Sequence, residues 1–222
     1  AVNVFDVNSC IASNNITISQ PFALSVSAAG TNITCNAGSN GGVNLNVSGG
    51  TLPYTYLWSN GDSIEDITGL TVGSYTATIT DSCGSAVSTS VVLTQPMVPG
   101  SSITSVNVSC NAGNDGSASL TVNGGTLPYT YLWSNAATTE DLSGLTANTY
   151  TVTITDNCGI STSDTVVVSQ PTLLTTAISG TNVTCNSLGN GSATVVASGG
   201  TAPYNYLWSN NQTNSTAIGL FP

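Results

Sequence analysis

The sequence repeats itself every 75 residues, and a chain built that way must fold as copies of one unit. Cys35, Cys110 and Cys185 are 75 apart, as are Trp58, Trp133 and Trp208, and Cys83 and Cys158. The block GGTLPYTYLWSN at residues 49–60 returns unchanged at 124–135 and as GGTAPYNYLWSN at 199–210. A Gln-Pro pair closes each unit, at Gln20-Pro21, Gln95-Pro96 and Gln170-Pro171. The expected division is two full modules, 22–96 and 97–171, with the last two strands of a module at 1–21 and a module lacking its last two strands at 172–222. A 75-residue unit is small enough that its own core is marginal and disulfides would help.

Within each unit the apolar period is two, which specifies strands. Val43, Leu45 and Val47 alternate with polar residues, as do Ala118, Leu120 and Val122. Tyr54, Tyr56 and Trp58 share one face, with Thr55, Leu57 and Ser59 on the other. Gly-Gly-Thr-x-Pro and Asn-Gly supply closely spaced turns, and no stretch has helical periodicity. Short antiparallel strands with a Trp on the third describe an all-β fold of tandem immunoglobulin-like sandwiches, of the PKD or fibronectin-III kind. GLTVGSY and GLTANTY put Tyr75 and Tyr150 at the start of the strand that runs to the second cysteine. In such sandwiches a Tyr there bonds back to upstream backbone, the tyrosine corner.

Composition removes most chemistry. The chain has no Lys, Arg or His against ten Asp and Glu, a formal charge of −10. Nucleic acid and anionic membrane surfaces are therefore excluded as partners, since both are held by cationic side chains. Without His there is no triad base or imidazole ligand, and without Lys no Schiff base or P-loop lysine. Hydrophobic residues make up 40% of the chain, enough for a core, and no apolar run approaches a membrane span. The opening AVNVFDVNSC lacks the features of a signal peptide, so the expectation is a mature, soluble segment without membrane insertion. Six cysteines with neither CxxC pairs nor His point to disulfides and an oxidising, extracellular compartment.

The runs TCNAGSNGG, SGGTLPYTYLWSNG, ITGLTVGSYTATITDSCG and VVLTQP together resemble the SprB-type repeat of Bacteroidota cell-surface proteins, which include gliding-motility adhesins exported by type IX secretion. The resemblance covers essentially the whole chain. It implies a stalk or adhesin of tandem sandwich modules on the cell surface, and it implies no ligand. No type IX sorting domain is legible, so export is expected to depend on a longer parent chain or a separate assembly route.

No catalytic residue emerges. Glu65-Asp66 and Glu140-Asp141 share a phase, but strand neighbours point to opposite faces, and a solvated strand edge is the expected role. Asp6, Asp81 and Asp156 share a phase at the end of a strand, where a turn-capping role is expected and a Ca2+ site at a module joint is the alternative. Trp58, Trp133 and Trp208, with their tyrosines, are expected in the core, with sugar stacking as the alternative. Asp62-Ser63-Ile64 and Asp164-Thr165-Val166 look like the Asp-Ser/Thr-apolar signal for O-glycosylation in Bacteroidota, which would modify Ser63 and Thr165. Asn-x-Ser/Thr sequons, at Asn32, Asn107 and Asn182 among others, are expected by chance in a chain this rich in Asn and Thr.

Six cysteines allow 15 pairings. One bridge per module, Cys35 to Cys83 and Cys110 to Cys158, is the simplest scheme. If the two cysteines of a module lie at opposite ends of the sandwich they are too far apart to bond, and Cys35 would instead meet Cys158 at a joint.

Aligning Asp6 with Asp81 makes residues 1–21 the last two strands of a module, complementary to 172–222. A sandwich without those strands exposes an apolar face and open edges. Continuation into a longer array, the chain's own first 21 residues, or those of another subunit would cover it. In the last case Cys10 would come to Cys185. The sequence reading is thus a non-enzymatic extracellular structural or adhesive repeat protein whose partners are neighbouring modules or subunits of its own kind, and surface glycans. The alternative is a carbohydrate- or calcium-binding accessory array.

Overall fold

The computed structural model of the chain describes residues 1–185 and 189–222, which form strands and turns and, among the described residues, no helix. The chain divides into two compact units, Ala1–Pro96 and Met97–Pro222.

The first unit opens with a hairpin, β1 (Val2–Phe5) and β2 (Ile11–Asn14). Six strands follow: β3 (Ser25–Thr31), β4 (Gly41–Ser48), β5 (Thr55–Trp58), β6 (Ile67–Leu70), β7 (Gly73–Thr80) and β8 (Ala86–Leu93). They form two antiparallel sheets, β3-β4-β6 and β5-β7-β8, which meet along β3 and β8. The period-two pattern does what it requires. Val43, Leu45, Trp58, Ile67, Ala77, Ile79 and Leu93 point between the sheets and are buried, with Val43, Ala77 and Ile79 at 0% exposure. Thr76 and Thr78 face outward and bond across the strand pair to Ser90 and Ser88.

The second unit repeats this architecture with β9 (Gly100–Val106), β10 (Gly116–Asn123), β11 (Thr130–Trp133), β12 (Leu142–Leu145), β13 (Asn148–Thr155) and β14 (Ser161–Val168). Its sheets are β9-β10-β12 and β11-β13-β14. A single further sheet follows, β15 (Thr175–Thr181), β16 (Gly191–Ser198) and β17 (Thr216–Leu220), with β16 in the middle.

Two local devices hold the sandwich shape. Tyr75 donates its hydroxyl to the carbonyl of Thr71, and Tyr150 to that of Thr146, both at 3.0 Å, which is the tyrosine corner. After β4 the chain reverses at Gly49, whose φ of +73° favours glycine and where a Cβ would lie 2.1 Å from the carbonyl oxygen of Ala23. The following Tyr54 donates its hydroxyl to the Gly49 carbonyl, closing the turn.

Because β6 pairs with β4 only from Gly41 to Val43, the next inward residue, Leu45, has no strand partner on that side for its N–H. Asp66 accepts it at 2.9 Å, and Asp141 accepts the N–H of Leu120 at the same distance. The expectation of a merely solvated edge is corrected for these two aspartates: each extends the ladder by one bond where the strand stops. In β17 the backbone takes over, with Val195 N–H bonded to the carbonyl of Ser215 at 2.9 Å.

Truncating Ile79, fully buried, to Ala should destabilise its module by about 2–5 kcal/mol. Val92→Ala on the outer face of β8, 65% exposed, should change stability by less than about 0.5 kcal/mol. Urea unfolding of the full chain followed by tryptophan fluorescence checks both.

Candidate functional site

The end of each module at which its chain enters, its head, is built around an aspartate. Between β7 and β8, Asp81 Oδ1 accepts the N–H groups of Cys83 at 3.0 Å and Ser85 at 2.8 Å. Its Oδ2 accepts the N–H of Thr51 at 3.0 Å. Ser82 returns two bonds to the Thr51 carbonyl, from its N–H and its hydroxyl. The second module copies this with Asp156, whose Oδ1 accepts from Cys158 and Ile160 and whose Oδ2 accepts from Thr126.

Asp81 and Asp156 are buried, and with no cationic side chain in the chain their charge is met by backbone N–H groups. The Ser85 N–H leads in holding the Asp81 carboxyl below the ordinary carboxylate range. At Asp156 desolvation pushes upward, but the N–H groups of Ile160, Thr126 and Cys158 outweigh it and the net shift is also down. These aspartates are turn caps: their oxygens face N–H donors rather than an open cage. Among the described residues no group of three or more His, Cys, Asp or Glu gathers as for a metal.

The hairpin β1–β2 carries the same turn. Asp6 Oδ1 accepts the N–H groups of Asn8 and Cys10, both at 2.8 Å, and Asp6 N–H bonds to the Cys10 carbonyl. The pairing Val2↔Asn14 corresponds residue for residue to Ala77↔Thr89. Cys10 therefore occupies the place of Ser85, two positions beyond that of Cys83. In this hairpin and the residues after it, the apolar side chains that match core positions are exposed: Val2 at 58%, Val4 at 61%, Ile16 at 82% and Ile18 at 90%. Their counterparts in the second module, Val152, Ile154, Val166 and Val168, are all buried.

Residues 172–222 present the opposite situation. Leu174 is 53% exposed where its counterpart Leu24 is at 9%, and Trp208 is half-buried where Trp58 and Trp133 are at 2%. Residues 205–208, NYLW against TYLW in β11, form no strand, because the partner that β13 provides is missing. Two crevices remain. One is lined by Ile178, Val195, Tyr206 and Trp208, the other by Gly180, Val183, Gly191, Leu220 and Phe221. In the first module Leu93 fills the place of the second crevice, packing on Gly30 and Gly41, the counterparts of Gly180 and Gly191.

Polar groups are also left over. Asn32 Oδ1 accepts the N–H of Thr94, and Asn107 Oδ1 that of Ser169, both at 2.8 Å. Ile33 and Val108 each donate N–H to the carbonyl of the same partner residue. Among the described residues the equivalent bonds are absent at Asn182 and Val183, and so is the carboxylate that would accept from Thr201 N–H. The asparagines of the sequons at Asn32 and Asn107 are thus module braces that the sequence reading did not assign, although the shared phase of Asn32, Asn107 and Asn182 was a signal for them.

The cysteines do not follow the scheme of one bridge per module. Cys35 and Cys158 are disulfide-bonded, whereas Cys83 and Cys110 carry free thiols, as do Cys10 and Cys185. The reason is length. Cys35 follows β3 at the tail of the module, where Asn36 and Ala37 bond to Pro96 and Gln95. Cys83 sits at the head, and β3, seven residues long, separates the two ends by roughly 20 Å. A disulfide spans less than about 7 Å between Cα atoms.

Of the remaining candidates, Trp58 and Trp133 are core, their indole N–H groups bonded to the carbonyls of Ile64 and Thr139, and are closed to sugar stacking. Ser63 and Thr165 are both exposed, and the Thr165 hydroxyl bonds to that of Thr151. Glu65 lies against Tyr56, whose hydroxyl is pushed up first by burial and then by that carboxylate.

The two modules with their tyrosine corners are β-sandwiches of immunoglobulin-like architecture. The model of the SprB repeat matches residues 27–63, 102–138 and 177–213, half of the chain, and the protein belongs to the SprB repeat family. No curated protein matches the chain. Among solved structures it is similar to "Sidekick-1 immunoglobulin domains 1-5", with 12% identity and a TM-score of 0.40, over 91% of this chain and 54% of that one. It is also similar to the chain of "Structural basis for Dscam isoform specificity", with 12% identity and a TM-score of 0.32, over 68% of this chain and 46% of that one. A third is the "amphioxus IgVJ-C2 molecule", with 14% identity and a TM-score of 0.30, over 64% of this chain and 96% of that one. The chain thus spans about half the length of the first two.

Since Asp81 and Asp156 have lowered folded pKa values, the stability they contribute is present above the unfolded carboxylate value of about 3.9 and is lost as pH falls below it. Asp81→Asn should lower the urea midpoint at pH 7 and reduce, without abolishing, the loss of stability as pH falls below about 4, since Asp156 and Asp115 are lowered as well. Urea midpoints measured across that range check the outcome.

Proposed function

We propose that the protein is a non-enzymatic, extracellular structural or adhesive repeat protein of the bacterial surface whose copies associate head to tail by strand complementation. Residues 1–21 of one copy add the missing two strands to residues 172–222 of another. The observation that carries this reading is the match between the two segments. The hairpin has the register and aspartate turn of β7 and β8 with its core positions bare, and residues 172–222 have a complete first sheet that, among the described residues, has no second sheet opposite it.

Apolar and polar complementarity agree. Val2, Val4, Ile16 and Ile18 each gain about 1.5–3 kcal/mol if fully buried, before the cost of association. Asp6 Oδ1 serves the N–H groups of its own turn, as Asp81 Oδ1 does, and Asp6 Oδ2 would take the N–H of Thr201 as Asp81 Oδ2 takes that of Thr51. Ser19, the counterpart of Thr94, would answer both Asn182 and Val183. A heterologous contact of this kind repeats without closing and gives a filament. Membership of the SprB repeat family supports the surface location, and no helix of the described residues is long and apolar enough to cross a membrane. The lack of Lys and Arg suits an exposed fibre, because trypsin-like proteases have no site in it.

Sedimentation and negative-stain microscopy of the chain, kept reduced, test this. Filaments are expected from the parent sequence, and Val4→Asp with Ile18→Asp should abolish them while leaving both full modules folded. A peptide of residues 1–21 should cap the open face, shorten the filaments and shift Trp208 fluorescence to the blue. A monodisperse monomer that ignores the peptide would overturn the proposal.

A further inference from the structure

We infer that copies associated in this way are also covalently locked, by disulfides from Cys110 to Cys10 of a second copy and from Cys185 to Cys83 of that same second copy. This rests on the head-to-tail reading above.

The joint between residues 97–171 and 172–222 displays the geometry. Thr201 donates its hydroxyl to the carbonyl of Ser109 at 2.9 Å, so the head of one module meets the tail of the module before it. Cys110, next to Ser109, lines a crevice of about 340 Å3 with Leu173, Leu174, Gly200 and Thr201. In the first module the counterparts of Gly200 and Thr201 are Gly50 and Thr51, and they border the aspartate turn that carries Cys83. The crevice beside Cys110 is therefore where such a turn belongs, and the residues at hand lack it.

The hairpin of a second copy brings that turn with Cys10 in it. Cys10 stands in the place of Ser85 rather than Cys83, a displacement of two residues and so at most about 7 Å. Ser85 and Cys83 border the same crevice of the first module, so both places open on the side that Gly200 and Thr201 turn toward Cys110. Cys10 is thereby directed to Cys110, and the pairing of Cys10 with Cys185 expected from sequence is replaced.

The same relation then holds one module further on. Cys185 occupies the phase of Cys110 at the tail of residues 172–222, and Cys83 marks the exposed head of the first module. All four thiols are exposed. They divide into two of the first phase, Cys110 and Cys185, and two at head turns, Cys10 and Cys83. Cys35 and Cys158, one of each phase, are already disulfide-bonded, so every cysteine acquires a partner of the other kind.

Each lock forms one S–S bond from two thiols, releasing two protons and two electrons. The electrons reduce the disulfide of a thiol oxidant, a small-molecule disulfide or an oxidoreductase of that class, whose S–S bond breaks to give two thiols.

The test is to oxidise assembled filaments with oxidised glutathione and run them denatured, with and without reductant. The expected result is a ladder at multiples of 22.3 kDa that collapses to monomer on reduction. Peptide mapping should recover Cys110 linked to Cys10 and Cys185 linked to Cys83. Cys10→Ser with Cys83→Ser should remove the ladder while filaments still sediment, and either single variant should retain it. Filaments that yield only monomer without reductant, or links of like phase such as Cys10 to Cys83, would overturn the locks and leave strand complementation standing. Absence of filaments with or without oxidant would overturn both.

Discussion

None of the three-stranded sheets in this chain can keep its inner face dry alone. A sheet that alternates apolar and polar residues has one face to bury, and in each full module the opposing sheet covers it, with Trp58 or Trp133 at the centre. The rest of the structure depends on that pairing. Where β7 and β8 exist, the preceding Thr-Tyr-Leu-Trp segment becomes strand β5. Where their counterparts are missing, nearly the same four residues at 205–208 remain without a ladder and Trp208 is only half-buried. Strand formation there is a tertiary event, since propensity alone cannot supply the cross-strand hydrogen bonds.

The absence of cations shapes how polar groups are satisfied. With no Lys or Arg to pair with, the buried aspartates are met by convergent backbone N–H groups, and Asp66 and Asp141 serve as extensions of a sheet edge. Asparagine plays the corresponding part at the tail, where Asn32 and Asn107 accept from the last strand and Asn36 and Asn111 donate to the closing proline carbonyl. Polar side chains thus staple strand ends to turns, so a module that loses its last two strands loses hydrogen bonds at both ends as well as its apolar cover. That double deficit is visible in residues 172–222, where Leu174 and Trp208 lose cover and Asn182 and Val183, among the described residues, lack the bonds made by Asn32 and Ile33.

The 75-residue period, the strand alternation and the tyrosine corner were legible in the sequence because each depends on residues close together along the chain. The turn role of Asp81 was legible for the same reason, its main partners being two and four residues away. The cysteine pairing was legible only as two competing schemes. Period alone makes Cys35 and Cys83 look like a set, and only the direction of β3 shows that they stand at opposite ends of the sandwich. The alignment of Asp6 with Asp81 already puts Cys10 at the Ser85 position rather than that of Cys83, and the N–H groups of Asn8 and Cys10 on Asp6 keep that offset in the folded turn.

By itself, then, the sequence determined the unit, its strands, its inner and outer faces and its exclusion of cation-dependent chemistry, because alternation and composition are local properties. The tertiary structure alone decided which end of a sandwich each cysteine occupies, which thiols are free and which face is uncovered. These depend on how far a strand carries the chain and on which sheet lies opposite, and no residue type records either.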